Sequence, residues 1–219
     1  MNLVLYSKLE PEINLNTQKK INNVLLEMVN NDAATVGLIE HTTDKENKYY
    51  KRNVDFYKKL GIYNILRFDL DERYNQLLEE KLFQCDIIHL PGGNTFYFLY
   101  MLKKRNMICR LQEYVKNGGI IVGVSAGALV VSPTIRSAQF GDENDVGLDN
   151  LYALGLVPFE IMPHWNRWSH YLTDLQKYSL KNNVIIYTVS DGEGIIVQED
   201  YVKLYGDIGM IENGVYNKK

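Results

Sequence analysis

"IIVGVSAGALV", Ile120–Val130, is the stretch on which the reading of this chain turns. An aliphatic run passes through Gly123 and Val124 to a lone Ser125, and Ala126-Gly127-Ala128 follows. Gly123-Val124-Ser125-Ala126-Gly127 fits G-x-S-x-G, the spacing of a nucleophile elbow. A serine at the tip of a sharp strand-to-helix turn must hold strained dihedrals, and small residues two positions away on either side keep side chains from colliding there. The hydroxyl then stands free above the sheet, while the next amide and the helix amino terminus face the same space and can stabilise an oxyanion. The pattern arises by chance in roughly one chain in fifteen of this length, so its context has to carry the argument. That context is favourable, because a strand-like run ends at the serine and a small-residue helix pattern begins after it. The plainer alternative is a tight turn with a serine capping the helix.

Outward from this stretch, short apolar runs alternate with amphipathic segments. Residues 2–7, 35–40, 64–69, 86–93 and 118–125 read as strands, and residues 17–31, 47–61, 72–84 and 95–118 carry helical periodicity. The strands are aliphatic on both faces, as burial between two helical layers requires. The order predicts an α/β fold, a three-layer α/β/α sandwich with a mostly parallel sheet. Downstream come a strand ending at His164 and a polar helix near 168–181. The runs 184–190, 193–200, 201–206 and 209–214 are expected to form antiparallel hairpins closing one sheet edge. No linker or repeat divides residues 1–219, which are expected to form one domain. The polar stretch 132–150 is the one long loop, and loops of that length in compact domains are usually functional.

Composition narrows the partners. The 24 basic and 27 acidic side chains leave a net charge of −3, which argues against nucleic acid. No apolar stretch reaches the roughly 18 residues needed to cross a bilayer, and the amino terminus lacks signal-peptide character. Two cysteines without metal-type spacing fit a reduced, cytoplasmic protein.

Pro91-Gly92-Gly93-Asn94-Thr95 ends another parallel strand and opens a helix, which places it at the same carboxyl edge as Ser125. Gly92 and Gly93 let backbone amides approach a ligand, as an oxyanion hole requires, and Asn94 is equally suited to cap the helix. Four histidines are candidates for the base. His89 lies in an apolar strand and His170 on a polar helix. His41 and His164 both end strands. His164, stiffened by Pro163 and placed after the polar loop, is the chosen base, with His41 in reserve. The loop offers Asp142, Glu143, Asp145 and Asp149 as the orienting acid, with Asp191 or Glu193 in reserve outside it.

"HLPGGNTF", "GVSAGALVVSPTIRSA" and "LGLVPFEIMPH" together resemble the peptidase E (alpha-aspartyl dipeptidase) family. The resemblance runs from about Cys85 to Gly206. It implies a class I glutamine-amidotransferase-like, flavodoxin-like fold, with Ser125 as nucleophile and His164 as base. Asp142 is the best match for the acid, and the oxyanion donors fall near Gly93 and at Ala126. No metal or cofactor is called for. The implied substrate is a short peptide, and the protein a monomer or homodimer. The family's basic segment after the histidine is replaced here by "HWNRWSHYLTDLQKYSL". Arg136, Arg167 and Lys177 are left as candidates for an acidic substrate residue, with Trp165 and Trp168 favouring larger or less acidic ones. A weaker preference for amino-terminal Asp is therefore expected. The alternatives are a hydrolase of another amide, isoaspartyl or cyanophycin-like, and a non-catalytic binding relative.

Overall fold

The computed structural model of the chain describes residues 1–29, 33–41, 48–199 and 201–218. The outer ends of two expected elements, Asn30 with Asn31 and Asn47, lie outside the described residues, as does Asp200. The first half alternates as the hydrophobic pattern requires. Strands β1 (Asn2–Tyr6), β2 (Thr35–Glu40), β3 (Asn64–Asp69), β4 (Ile87–Leu90) and β5 (Ile120–Val124) are separated by helices α1 (Leu15–Val29), α2 (Lys48–Lys59), α3 (Gln76–Leu82), α4 (Thr95–Lys104) and α5 (Met107–Lys116). The expected single helix over 95–118 is two, because Asn106 adopts a left-handed conformation (φ 55°) between them. Helix α6 (Ala126–Leu129) begins directly after Ser125.

The second half contains β6 (Phe159–Pro163), α7 (Trp165–Trp168), α8 (Leu172–Asn182), β7 (Ile185–Val189), β8 (Gly194–Gln198), β9 (Tyr201–Tyr205), β10 (Gly209–Glu212) and β11 (Val215–Lys218). Among the described residues the large sheet has the order β3-β2-β4-β5-β1-β8-β9. Its first five strands are parallel, and β8 and β9 are antiparallel at one edge. Period-two alternation sends successive residues to opposite helical layers. Leu3 and Leu5 pack with Phe98, Leu99 and Leu111, while Val4 and Tyr6 pack with Ile21, Leu25 and Phe56. The molecule is therefore an α/β/α sandwich around a mostly parallel sheet.

One expectation is corrected. The downstream runs do not all close one edge of this sheet. Only β8 and β9 do so, whereas β6, β7, β10 and β11 form a second sheet, in the order β11-β10-β7-β6. The reason is that β7 and β8, adjacent in sequence, pair with different partners. β7 lies parallel to β6, and β8 lies antiparallel to β1. Residues 190–193 are thus a crossover between sheets rather than a hairpin turn. Met162, Ile186 and Ile211 of the second sheet bury against Leu175 of α8, giving that sheet its own small core.

Candidate active site

The elbow is built by close approach. Ser125 has φ 52° and ψ −110°, a positive φ that costs a non-glycine residue on the order of 1–3 kcal/mol. Its surroundings hold it there. The Ser125 amide donates to the Tyr6 carbonyl at 3.0 Å and that of Gly127 to Pro91 at 2.9 Å. A Cβ on Gly127 would lie 1.9 Å from the Leu90 carbonyl oxygen, and one on Gly123 would lie 2.7 Å from that of Gly127. Both positions are closed to any side chain, so α6 presses directly onto the ends of β4 and β5.

Strand register brings the other groups to the same edge. Tyr6 pairs with Val124 and Leu90 with Gly123, so Ser7, Pro91 and Ser125 all follow strands that end level. In the second sheet Pro163 pairs with Val189, so His164 and the 190–193 crossover leave adjacent strands together. His164, in the left-handed region at φ 57°, places Nε2 2.9 Å from Ser125 Oγ and Nδ1 2.6 Å from Asp191 Oδ1.

The carboxylate on the imidazole is therefore that of Asp191, and the expectation of Asp142 is corrected. Asp142 Oδ2 accepts from the Thr95 amide at 2.9 Å and the Thr95 hydroxyl at 2.5 Å. Asn94 ties the same loop to α4 by donating to the Glu143 carbonyl at 2.8 Å, so the carboxylate is directed to the start of α4 rather than to the histidine. Glu143, Asp145 and Asp149 are exposed.

Asp191 is buried and surrounded by donors. Arg167 Nη2 lies 3.2 Å and 3.1 Å from its two oxygens, Ser7 Oγ donates to Oδ1 at 3.3 Å, and its own amide donates to Asn166 Oδ1 at 3.0 Å. Burial alone would raise its pKa, but the His164 hydrogen bond and charge, together with Arg167, outweigh it and hold the group down at about 2. Arg167 also touches His164 Nδ1. With the ring proton on the Asp191 side, that contact is an approach to the carboxylate rather than a bond to the ring. Ser7 joins both halves of the arrangement, since its hydroxyl also accepts from the His164 amide at 2.8 Å.

Ser125, His164, Gly93, Asp142, Arg167 and Trp168 share the wall of a cavity of about 210 Å³. Gly93 has φ 132°, a conformation that favours glycine, whereas a Cβ on Gly92 would meet Ser125 Cβ at an ordinary 3.5 Å. Ala126 opens α6, so its amide is one of the first-turn donors that lack a partner within the helix. The Asn94 side chain is engaged structurally, accepting from the Tyr97 amide at 2.9 Å while it donates to Glu143.

The other histidines are held by other groups, His41 by the Gly92 backbone among them. His41 is buried and stacked on Phe98, and burial lowers its pKa below the usual range. His89 is buried against the Tyr57 hydroxyl at 3.0 Å, where burial and the Arg52 charge hold it down at about 3. His170 is exposed. Among the basic candidates for substrate binding, Arg136 reaches toward Asn182 and Lys177 pairs with Asp174 at the surface. Trp168 lines the cavity, and Trp165 lies tilted beside Tyr216. Asp191 was only a reserve in the sequence, and Ser7 and Asn166 carried no signal there. All three reach the site through the pairing of β6 with β7 and of β1 with β8.

An uncharacterised peptidase of Listeria monocytogenes is 36% identical over 124 residues, covering 54% of this chain and 59% of that protein. Peptidase E of Salmonella arizonae is 37% identical over 86 residues, covering 39% of this chain and 37% of its own length. The match thus spans well under two thirds of either relative. A crystal structure from Listeria monocytogenes EGD-e, assigned provisionally to peptidase E, superimposes with a TM-score of 0.73 at 26% identity. It covers 93% of this chain and 96% of its own. A peptidase from an acI-B1 actinobacterium, at 17% identity and a TM-score of 0.68, shares the fold. The model of peptidase family S51 matches residues 10–205, a span that holds the elbow, His164 and the crossover with Asp191, and the chain belongs to that family.

Proposed function

We propose that the chain, working as one domain, is a serine peptidase that hydrolyses short peptides through Ser125, His164 and Asp191. The observation that carries this reading is the continuous relay from Ser125 Oγ through the imidazole to Asp191, at 2.9 Å and 2.6 Å. Ser125 Oγ attacks the scissile carbonyl carbon, and its proton passes to His164 Nε2. Asp191, ionised and held by Arg167 and Ser7, fixes the tautomer with the proton on Nδ1 and offsets the imidazolium charge. The oxyanion is received by backbone amides at Gly93 and Ala126. Collapse of the tetrahedral intermediate breaks the C–N bond as Nε2 returns the proton to the leaving amine. Water activated by the same imidazole then hydrolyses the acyl-Ser125 ester. Each proton is returned, and no co-reactant beyond water is consumed.

The test pairs labelling with turnover. A fluorophosphonate probe is expected to add its mass to the peptide bearing Ser125, and dipeptides are expected to be cleaved by the same preparation. Absence of both would remove the serine-peptidase reading.

A further inference from the structure

The cavity beside Ser125 holds a charge that the relay does not use. Its volume of about 210 Å³ falls below the ~300 Å³ at which pockets for larger ligands begin, so it takes about one amino-acid residue. Asp142 lines it. Thr95 occupies Oδ2 of that carboxylate, and Oδ1 has no hydrogen bond among the described residues. The group is fixed before any ligand arrives, because the Asp142 amide donates to Ala138 at 2.8 Å and Asn94 ties down Glu143 next to it. The other ionised side chain of the lining, Arg167, is already neutralised by both oxygens of Asp191. The same wall carries Ser137, fully buried, with its backbone amide on Glu160 at 3.2 Å and its hydroxyl without a partner. A buried hydroxyl left unpaired costs free energy that a ligand group of matching polarity would recover.

These features fit one kind of occupant. In the first residue of a peptide the α-ammonium is two bonds from the carbonyl carbon, so both must lie in one small pocket when Ser125 attacks. Resting on the serine-peptidase reading, we infer that Asp142 Oδ1 binds the substrate's α-ammonium. We infer also that the pocket selects an uncharged, hydrogen-bonding first residue, such as Asn or Ser, that reaches Ser137. An acidic first residue would bring a second carboxylate beside Asp142, while Arg167, the cation of the described lining, is engaged by Asp191, and such like-charge contacts discriminate against a ligand.

The experiment compares Asn-Leu, Ser-Leu, Ala-Leu, Asp-Leu and N-acetyl-Asn-Leu on the wild-type chain and on Asp142→Asn and Ser137→Ala. Asn-Leu and Ser-Leu are expected to exceed Asp-Leu by at least about tenfold in kcat/KM, equivalent to roughly 1.4 kcal/mol. The acetylated peptide is expected to be cleaved at no more than about a hundredth of the Asn-Leu rate. Asp142→Asn, which keeps an acceptor for Thr95, should raise KM about tenfold or more, with kcat nearly unchanged. Ser137→Ala should weaken Asn-Leu and Ser-Leu relative to Ala-Leu. Preference for Asp-Leu, or equal cleavage of the acetylated peptide, would overturn the inference while leaving the peptidase reading intact. Binding is tested separately by calorimetry of asparagine amide on Ser125→Ala. Binding lost in the additional Asp142→Asn variant supports the ammonium site even without turnover, and binding unaffected by that change overturns it.

Discussion

The two sheets contribute to the site in different ways. The large sheet supplies Ser125 by a local device, a strand, a strained residue and a four-residue helix pressed onto neighbouring strand ends. The small sheet supplies His164 and the crossover bearing Asp191 by a non-local one, the parallel pairing of β6 with β7. Ser7, at the end of β1 in the large sheet, hydrogen-bonds to both residues from the small-sheet side. A local device leaves a sequence motif, whereas a register between distant strands does not.

The largest effect should come from the local device. Ser125→Ala removes a half-buried hydroxyl that opens onto the cavity, so folding is expected to be unchanged and turnover to fall on the order of 10⁴-fold or more. Circular dichroism with single-turnover assays checks both halves. Activity within tenfold of wild type would detach the elbow from the chemistry.

Next comes the contrast between the two acids. Asp191→Asn should lower kcat by about 10³- to 10⁴-fold, because an amide favours the wrong imidazole tautomer. Asp142→Asn should leave kcat within a few-fold and act on KM. Comparable losses of kcat in the two variants would mean that the relay through the crossover is not what orients His164.

This contrast also marks what was legible in the sequence. The parallel order of β1 to β5, the elbow and the strand ending at His164 could all be read from period, glycine placement and turn chemistry. The acid could not be read there. The polar loop holds four carboxylates and draws the eye, yet Thr95 and Asn94 bind that loop to α4. "SDGEG" resembles an ordinary hairpin turn between two apolar runs. Only the knowledge that those runs belong to different sheets turns it into a crossover beside His164. Ser7 was hidden for the same reason, since nothing local distinguishes a serine that ends β1.

A smaller effect tests the link between the sheets. Ser7→Ala removes one donor to Asp191 and the acceptor for the His164 amide, and a loss of roughly tenfold in kcat/KM is expected. Because Ser7 does not line the cavity, the loss should fall on kcat and leave KM unchanged, with partial recovery in Ser7→Thr. A change confined to KM would show that Ser7 shapes the pocket rather than the relay.

The smallest expected effect is on stability, and it follows from the ionisation of Asp191. Its folded pKa of about 2 lies below the ordinary 3.8, so the unfolded chain takes up this proton first as the pH falls. The carboxylate's contribution is therefore complete above about pH 3.8 and is lost as the pH drops through 2. Its size is about 1–2 kcal/mol once the partial exposure of Arg167 is allowed for. Asp191→Asn carries no such titration, so its stability relative to wild type should improve as the pH is lowered from 5 to 2.5. Urea midpoints at both pH values measure that difference directly. If the two proteins instead weaken in parallel, the ion pair between the crossover and α7 does not hold Asp191 in its charged form, and the crossover is held by uncharged hydrogen bonds, those of Ser7, Asn14 and Asn166 among them.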